Sequence, residues 1–432
     1  MSDTTNTKTD TSWLILSHAA AKPGSAVSNH IDDRLPYLKA HGIQPIMLSC
    51  STSGQYNDVP HYRTSEALLP SSLRSRVRNY LKSRIATKWI RQTFQGFALI
   101  PILPFYALEK LLLDIDAGWS WTFSVGKKGI ALCEEYQPSC IYSTGGSISA
   151  HLAAMKIARH AGIPWIAEFQ DPLVHDVWPY SRRSLWQYKF IERLICHRAQ
   201  AVVFLTKAAM EAAQRRTDLG NQGHYIYAGT SPKTLSISPY HKGATMNFSH
   251  FGSMGGKRHF GYLFSGLDIV LKENPEWAKF ICIHQYGSID KSAKKIINDS
   301  IWKDNVTYHG LVKREIALKH MAETDCLLLI QNPEFWAQET IPAKTFEYLR
   351  MGRPILGFLY RNQELFEMLD KPQNSLAQVD DPQAIAKAIK KQIVRWLSDE
   401  PFNAHTYTEW TTKDAVDQLV KIAKEISFVH HA

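Results

Sequence analysis

The sequence predicts an α/β protein of two doubly wound, Rossmann-like domains facing each other across a cleft. Three observations predict it. The chain has 432 residues, more than one compact core holds and enough for two large α/β domains. Short apolar runs alternate with helical stretches, twice over, in the strand–helix–strand grammar of a parallel sheet. Between the two series, residues 229–243 are rich in Ser, Pro and Gly and carry little periodicity, which marks a linker.

Composition narrows the partners. A 44% apolar and 11% aromatic content excludes a disordered chain. Fifty Lys plus Arg against forty Asp plus Glu give a net charge of +10. That balance favours an anionic partner: nucleic acid, a phosphate-bearing ligand or an acidic membrane. Helix-turn-helix, zinc-finger and RNA-recognition signatures are absent, and no aromatic-interleaved basic platform offers bases a surface to stack on. Nucleic acid is therefore the weakest of the three. Six scattered cysteines without a C-x-x-C pair suit buried thiols in a reducing cytosol better than a disulfide framework or a zinc site.

Taken in order, residues 1–11 are a polar, Thr-rich tail with no apolar signal core. The first domain (12–228) opens with the strand SWLILSH (12–18), a loop containing Gly24 and Ser25, a helix and the strand IQPIMLS (43–49). Seven basic and no acidic residues follow between Arg74 and Arg91, while Leu73, Val77, Leu81, Ile85 and Trp89 recur every four residues. One amphipathic helix over 73–91 would lay an apolar stripe and a basic face on an anionic membrane. Residues 92–108 form an uncharged run of 17, interrupted by Pro101 and Pro104 and closed by Glu109 and Lys110. That is short of the roughly 20 residues a spanning helix needs. The strands SCIYSTGG (139–146), IPWIAEFQD (163–171) and AQAVVFLT (199–206) complete the first series.

The second domain (244–410) restarts with MNFSHFGSM and continues through WAKFICIHQYG, NVTYHGLV, DCLLLIQN and RPILGFL; residues 411–432 form a terminal helix that packs back on the first domain. Ligands of such sheets bind beyond the carboxyl ends of the strands, so the loops there should line the cleft.

Three constellations sit in those loops. In FGSMGGKRHF (251–260), Gly252, Ser253, Gly255 and Gly256 make a strand-to-helix turn whose free N–H groups would meet a phosphate, with Lys257 and Arg258 neutralising it. In ETIPAKTFEYLRMGRPIL (339–356), Thr340 reads as the cap of a helix, Ile341 and Pro342 as its entry, and Lys344 and Glu347 share a face. In the first domain, Asp171 and His175 follow a strand, where either would orient or deprotonate an acceptor hydroxyl; His18 is a further candidate.

Glu339 and Glu347 are separated by seven residues, and this E-x7-E resembles the nucleotide-sugar signature of retaining, family-four-like glycosyltransferases with the GT-B fold. The segment 141–173 is similar to members from bacterial polysaccharide assembly. The resemblance implies that Glu339 meets the transferred sugar and Glu347 the ribose of the nucleotide. It assigns the diphosphate to the glycine turn of Gly252 and Ser253 with Lys257 and Arg258, and the base to His309, Gly310 and Leu311; Gly24 and Ser25, in the first strand-to-helix loop, are further donor-binding candidates. It departs in having E-T-I-P after the first Glu, where many relatives have E-G-F-G. A retaining glycosyl transfer onto a glycan or polyprenyl-diphosphate-linked acceptor is expected, in the cytoplasm, peripheral at the inner face of the cell membrane. No acidic metal-binding cluster is read, so neither metal nor other cofactor is expected. A nucleotide-sugar epimerase of the same architecture is the alternative; a basic nucleic-acid-binding protein is the more distant one.

Overall fold

A computed structural model of the chain describes residues 11–22, 25–175, 181–231, 240–398 and 409–431. Seven parallel strands make the first sheet: β1 (Thr11–Ser17), β2 (Ile43–Cys50), β3 (His61–Thr64), β4 (Cys140–Gly145), β5 (Trp165–Phe169), β6 (Ala201–Phe204) and β7 (Gly223–Tyr225). Their spatial order is β3-β2-β1-β4-β5-β6-β7. The central strands read as unbroken apolar runs because both faces are covered. Leu14 and Leu16 of β1 pack with Trp121, Val125 and Ile157 on one face. Trp13 and Ile15 pack on the other with Ile31, Leu35, Val416 and Leu419.

The second sheet holds β8 (Met246–Phe251), β9 (Ile281–Tyr286), β10 (Val306–Gly310), β11 (Cys326–Ile330), β12 (Ile355–Leu359) and β13 (Ser375–Gln378), all parallel. Its order is β10-β9-β8-β11-β12-β13. Phe248, Leu263, Leu267, Ile283, Leu328, Phe358 and Ile389 form its core. In each sheet the strand order reverses beside the first strand, between β1 and β4 and between β8 and β11. Those switch points open a crevice at the carboxyl ends of the strands.

The chain divides into two units, one of residues 1–227 with 413–432 and one of residues 228–412. Helix Thr412–His431 brings Ala415, Val416, Leu419, Val420 and Ala423 into the core of the first.

The region after β3 differs from the single amphipathic helix that the four-residue stripe predicts. Helix Pro70–Arg84 ends where Ile85 turns extended, and the chain restarts as helix Lys88–Leu99, a 3₁₀ turn Ile100–Ile102 and helix Leu103–Leu112. Trp89 thus leaves the stripe and stands 69% exposed. Among the described residues no helix is long and apolar enough to cross a membrane. The six cysteines are unbridged, and all but Cys282 are buried.

Candidate functional site

Strand β8 delivers the chain into the glycine turn at the switch point of the second sheet. Gly252 (φ +117°) and Gly256 (φ +60°) take conformations that disfavour a side chain. The turn is tied down internally. Gly252 and Met254 donate their N–H groups to Tyr286 O and Ser288 O, and Gly255 and Arg258 exchange bonds. Asp290, the cap of helix Lys291–Asn298, accepts from Gly256 N at 2.9 Å and from Ala293 N at 2.8 Å. These N–H bonds bring its carboxyl down to about 2. Most of the backbone donors in the turn are therefore spent, which corrects the expectation of a backbone cradle. Side chains supply the positive charge instead.

They supply it unequally. Lys257 is exposed and pairs with Glu334 at 2.8 Å, which raises its pKa. Arg258 turns inward; burial lowers its pKa, and its Nη1 reaches only Ser253 O, at 3.5 Å. Lys344 lies behind the turn, its Nζ 2.7 Å from His250 Nε2 and 2.9 Å from Phe251 O. Gln285 donates its amide to Gly252 O, which leaves its oxygen to accept from His250 Nδ1 at 2.8 Å. That arrangement fixes the tautomer and leaves His250 Nε2 as an acceptor for Lys344. Burial, and then the neighbouring Arg258, hold Lys344 well below the usual ammonium range. Two inward cations thus stand together, and no carboxylate bonds either among the described residues. His250, Gln285 and Asp290 were not legible as site residues, because each acts through a partner distant in sequence.

The E-x7-E segment folds differently from its expected cap. Glu339 ends a 3₁₀ turn, Phe335–Glu339, Thr340 is extended, and Pro342 O accepts from Thr345 N as the chain enters helix Lys344–Met351. Thr340 does not cap that helix: its hydroxyl donates to Trp336 O, and Asn362 and Gln331 hold its carbonyl. Phe346 and Leu349 are buried, and Gly352 ends the helix at φ +66°. Glu347 binds Arg314 through Nε at 3.0 Å and Nη2 at 2.9 Å, so its ion partner comes from another helix and not from Lys344. At the end of β10, His309 stacks on Tyr286 at 4.2 Å and Gly310 adopts φ +72°, leaving Leu311 83% exposed.

In the first unit Gly24 lies outside the described residues, and Ser25 precedes helix Ala26–Ala40 without a side-chain cap bond. Asp171 follows β5 and leans over Gly146, its Oδ2 3.8 Å from where a Cβ there would stand. Desolvation raises its carboxyl pKa, and His175 and His30 oppose that. His175 is buried. Just inside the sheet, Glu168 accepts from Arg34 at 2.5 Å, contacts His30 at 3.0 Å, and accepts from Thr144 at 2.6 Å and from Tyr142. Arg34 and His30 hold this fully buried carboxylate below the usual range against its desolvation.

His18, at the end of β1, shares its surroundings with Cys50 and Glu66, and their ligand atoms lie within 4.8 Å of one another. Burial pulls the His18 imidazole down, but the Cys50 and Glu66 contacts outweigh it and raise it to about 9. An N, S, O set of this kind suits a soft divalent ion such as zinc. The chain also carries an Asp-x-Asp at Asp114 and Asp116 that the sequence reading missed. Asp114 accepts from Ser181 and pairs with Arg183, and Asp116 caps a 3₁₀ turn at Gly118.

Two parallel doubly wound sheets of this kind make up the GT-B fold. Residues 93–222 match the family described as Glycosyl transferase 4-like domain. Solved structures share the fold across the whole chain. HepE from Anabaena, in complex with UDP-glucose, is 14% identical and covers 97% of this chain and 99% of its own, with a TM-score of 0.57. TarM of S. aureus is 10% identical over 97% of this chain and 99% of its own, at 0.65. Sucrose-phosphate synthase from Thermosynechococcus elongatus is 15% identical over 98% of each chain, at 0.58. No curated protein matches the sequence.

Proposed function

We propose that the protein is a retaining glycosyltransferase that moves a sugar from a nucleoside-diphosphate donor, of the UDP type, to a hydroxyl of a glycan or lipid-linked acceptor. The observation that carries this reading is that Arg258 and Lys344 turn inward together at the switch point of the second sheet, with no carboxylate bonded to either among the described residues. A guanidinium turned inward beside a lysine that burial and this neighbour push toward the neutral form is completed by an anion, which also restores the ammonium. A diphosphate does so, and the UDP-glucose bound by HepE on the same fold supports the choice.

Transfer breaks the anomeric C–O bond, and its electron pair stays on the diphosphate oxygen. Arg258 and Lys344 stabilise that growing charge in place, the preorganised electrostatic term that dominates such chemistry. Glu339 meets the sugar, Glu347 the ribose, and His309, Gly310 and Leu311 the base. Asp171 or His175 orients the acceptor hydroxyl, whose oxygen forms the new bond to the anomeric carbon while its proton passes to the departing diphosphate oxygen. The chain's own cations do the work a metal would do on the leaving group, so the reading requires none. The acceptor is met in the cytoplasm at the inner face of the cell membrane, during surface polysaccharide synthesis, with the basic helices of the first unit on the anionic leaflet.

The test is a calorimetric titration of UDP, GDP and UMP into the whole protein. UDP should bind well above UMP, and Arg258→Gln should weaken UDP at least about tenfold, or roughly 1.4 kcal/mol. Equal affinity for UDP and UMP would remove the diphosphate assignment. Interconversion of a UDP-sugar without any acceptor would select the epimerase alternative.

A further inference from the structure

Three neighbouring strands of the first sheet each deliver a metal-binding side chain at the carboxyl end. In the spatial order β3-β2-β1 these are Glu66, two residues past β3, Cys50, the last residue of β2, and His18, the first after β1. One ligand atom from each lies within 4.8 Å of the other two. His18 Nε2 and Glu66 Oε1 stand 3.3 Å apart, which is about the separation of two ligands each 2.0–2.1 Å from one tetrahedral ion.

The sheet holds this arrangement in place. Ser17 pairs with Ser49 and Cys50 with Thr64, so the three strand ends are in register. Ser53 donates to the His18 carbonyl at 3.2 Å, and the His18 ring meets the buried Trp121 edge-on at 5.4 Å. Trp121 donates in turn to Thr64, which ties the ring's support back to β3. His18 and Glu66 are 48 residues apart, so no local spacing announces the set.

The chemistry of the donors selects the ion. Cys50 is fully buried, which makes its sulfur an inward ligand and a poor candidate for an exposed nucleophile. The side chains of His18 and Glu66 are 23% and 17% exposed, and that opening gives an ion a way in. A thiolate, a carboxylate and a neutral imidazole carry two negative charges, which one divalent cation cancels. Sulfur and imidazole together favour zinc over magnesium or calcium, whose ligands are oxygens. Gly118 keeps the open side clear, since a Cβ there would lie 3.1 Å from His18 Nε2 and 3.0 Å from Asp116 Oδ1. Asp116 is the neighbour placed to take the fourth position.

We infer that His18, Cys50 and Glu66 hold one zinc-class divalent cation at the carboxyl end of the first sheet. The ion clamps the chain where it leaves β3, at Glu66, onto the ends of β1 and β2. These ligands belong to the first unit, whereas the diphosphate reading rests on Arg258 and Lys344 of the second. The cation is thus a structural tie and has no part in the leaving-group chemistry.

The experiment strips the full chain with a chelator, desalts it and titrates it with Co(II), whose bond to a thiolate absorbs in the near ultraviolet. Binding should saturate at one equivalent with that band, and Zn(II) should displace the cobalt where magnesium does not. Cys50→Ser should lose the band. Glu66→Gln, at a partly exposed position where circular dichroism should stay parental, should weaken cobalt at least about tenfold. Cys282→Ser removes the one cysteine that is not buried and should change neither reading. Zn(II) should raise the melting transition of the first unit by at least about 3 °C over the stripped protein. A band that survives Cys50→Ser, an unchanged cobalt affinity in Glu66→Gln, or no saturable binding by the parent overturns the site and leaves a hydrogen-bonded cluster. A first-unit transition that ignores zinc overturns the clamp.

Discussion

Lys257 and Arg258 are neighbours in sequence and opposite in circumstance. Lys257 points to solvent and has Glu334, whereas Arg258 is drawn inward beside Lys344. Charge held in a dry, fixed place acts on a transition state far more strongly than charge in water. Arg258→Gln should therefore cut turnover at least about tenfold, and Lys257→Gln by less than about threefold, in steady-state kinetics. Equal effects would mean that both act as a diffuse field. Glu347→Ala should weaken the UDP-sugar about tenfold in a titration while the melting temperature moves by only a few degrees. Unchanged affinity would remove the ribose role. Lys344 adds a proton linkage. Its folded pKa is depressed, and a bound diphosphate restores the ammonium, so binding takes up a proton and weakens as pH rises above that depressed value. Calorimetry in two buffers of different ionisation enthalpy reads that uptake directly; no difference between buffers would contradict it.

At the scale of elements, the alternation that the sequence displays was enough to find the central strands, because β1, β2, β8 and β11 are buried on both faces and read as plain apolar runs. The edge strands β3 and β7 have no buried residue, and such short, half-solvated segments leave no pattern to read. The E-x7-E spacing and the glycine turn were visible for the same local reason. Their wiring was not: the Glu347–Arg314 pair spans 33 residues and Lys344–His250 spans 94. The stripe over 73–91 misled because periodicity does not register the break at Ile85.

The helices that follow β3 give a salt-sensitive prediction. Replacing Arg74, Arg76, Arg78, Lys82, Arg84, Lys88 and Arg91 by Gln should abolish co-sedimentation with anionic vesicles at low salt, since each cation near such a surface contributes about 1 kcal/mol. A parent that ignores anionic vesicles at low salt would end the peripheral-membrane reading. Inside the sheet, Glu168→Gln should cost the first unit about 3–5 kcal/mol by leaving Arg34 buried and uncompensated. Because Glu168 is held below the usual carboxyl range, its contribution is present above that range and is lost only as pH falls through the lower, folded value.

For the whole molecule, two units with separate cores should melt as two transitions in calorimetry. UDP at a hundred times its Kd should stabilise the unit of residues 228–412 by about 2.7 kcal/mol, and Glu168→Gln should move the other transition. A chelator added to the assay should leave turnover unchanged within about twofold if the chain's cations suffice; a collapse of activity would bring a metal into the mechanism, with His18, Cys50 and Glu66 the first place to look. The path of the backbone carries a last consequence. The chain leaves the first unit at Tyr227 and re-enters it at Lys413, with Thr230 and Thr411 paired where the two passages run side by side. On the ribosome, the face of the first sheet carrying Trp13 and Ile15 must wait for the helix that contributes Val416 and Leu419, which is made only after all of the second unit. The unit written second is thus the one able to finish first. The earlier-made sheet stays open on that side throughout, a long-range closure of the sort that slows folding and invites chaperones.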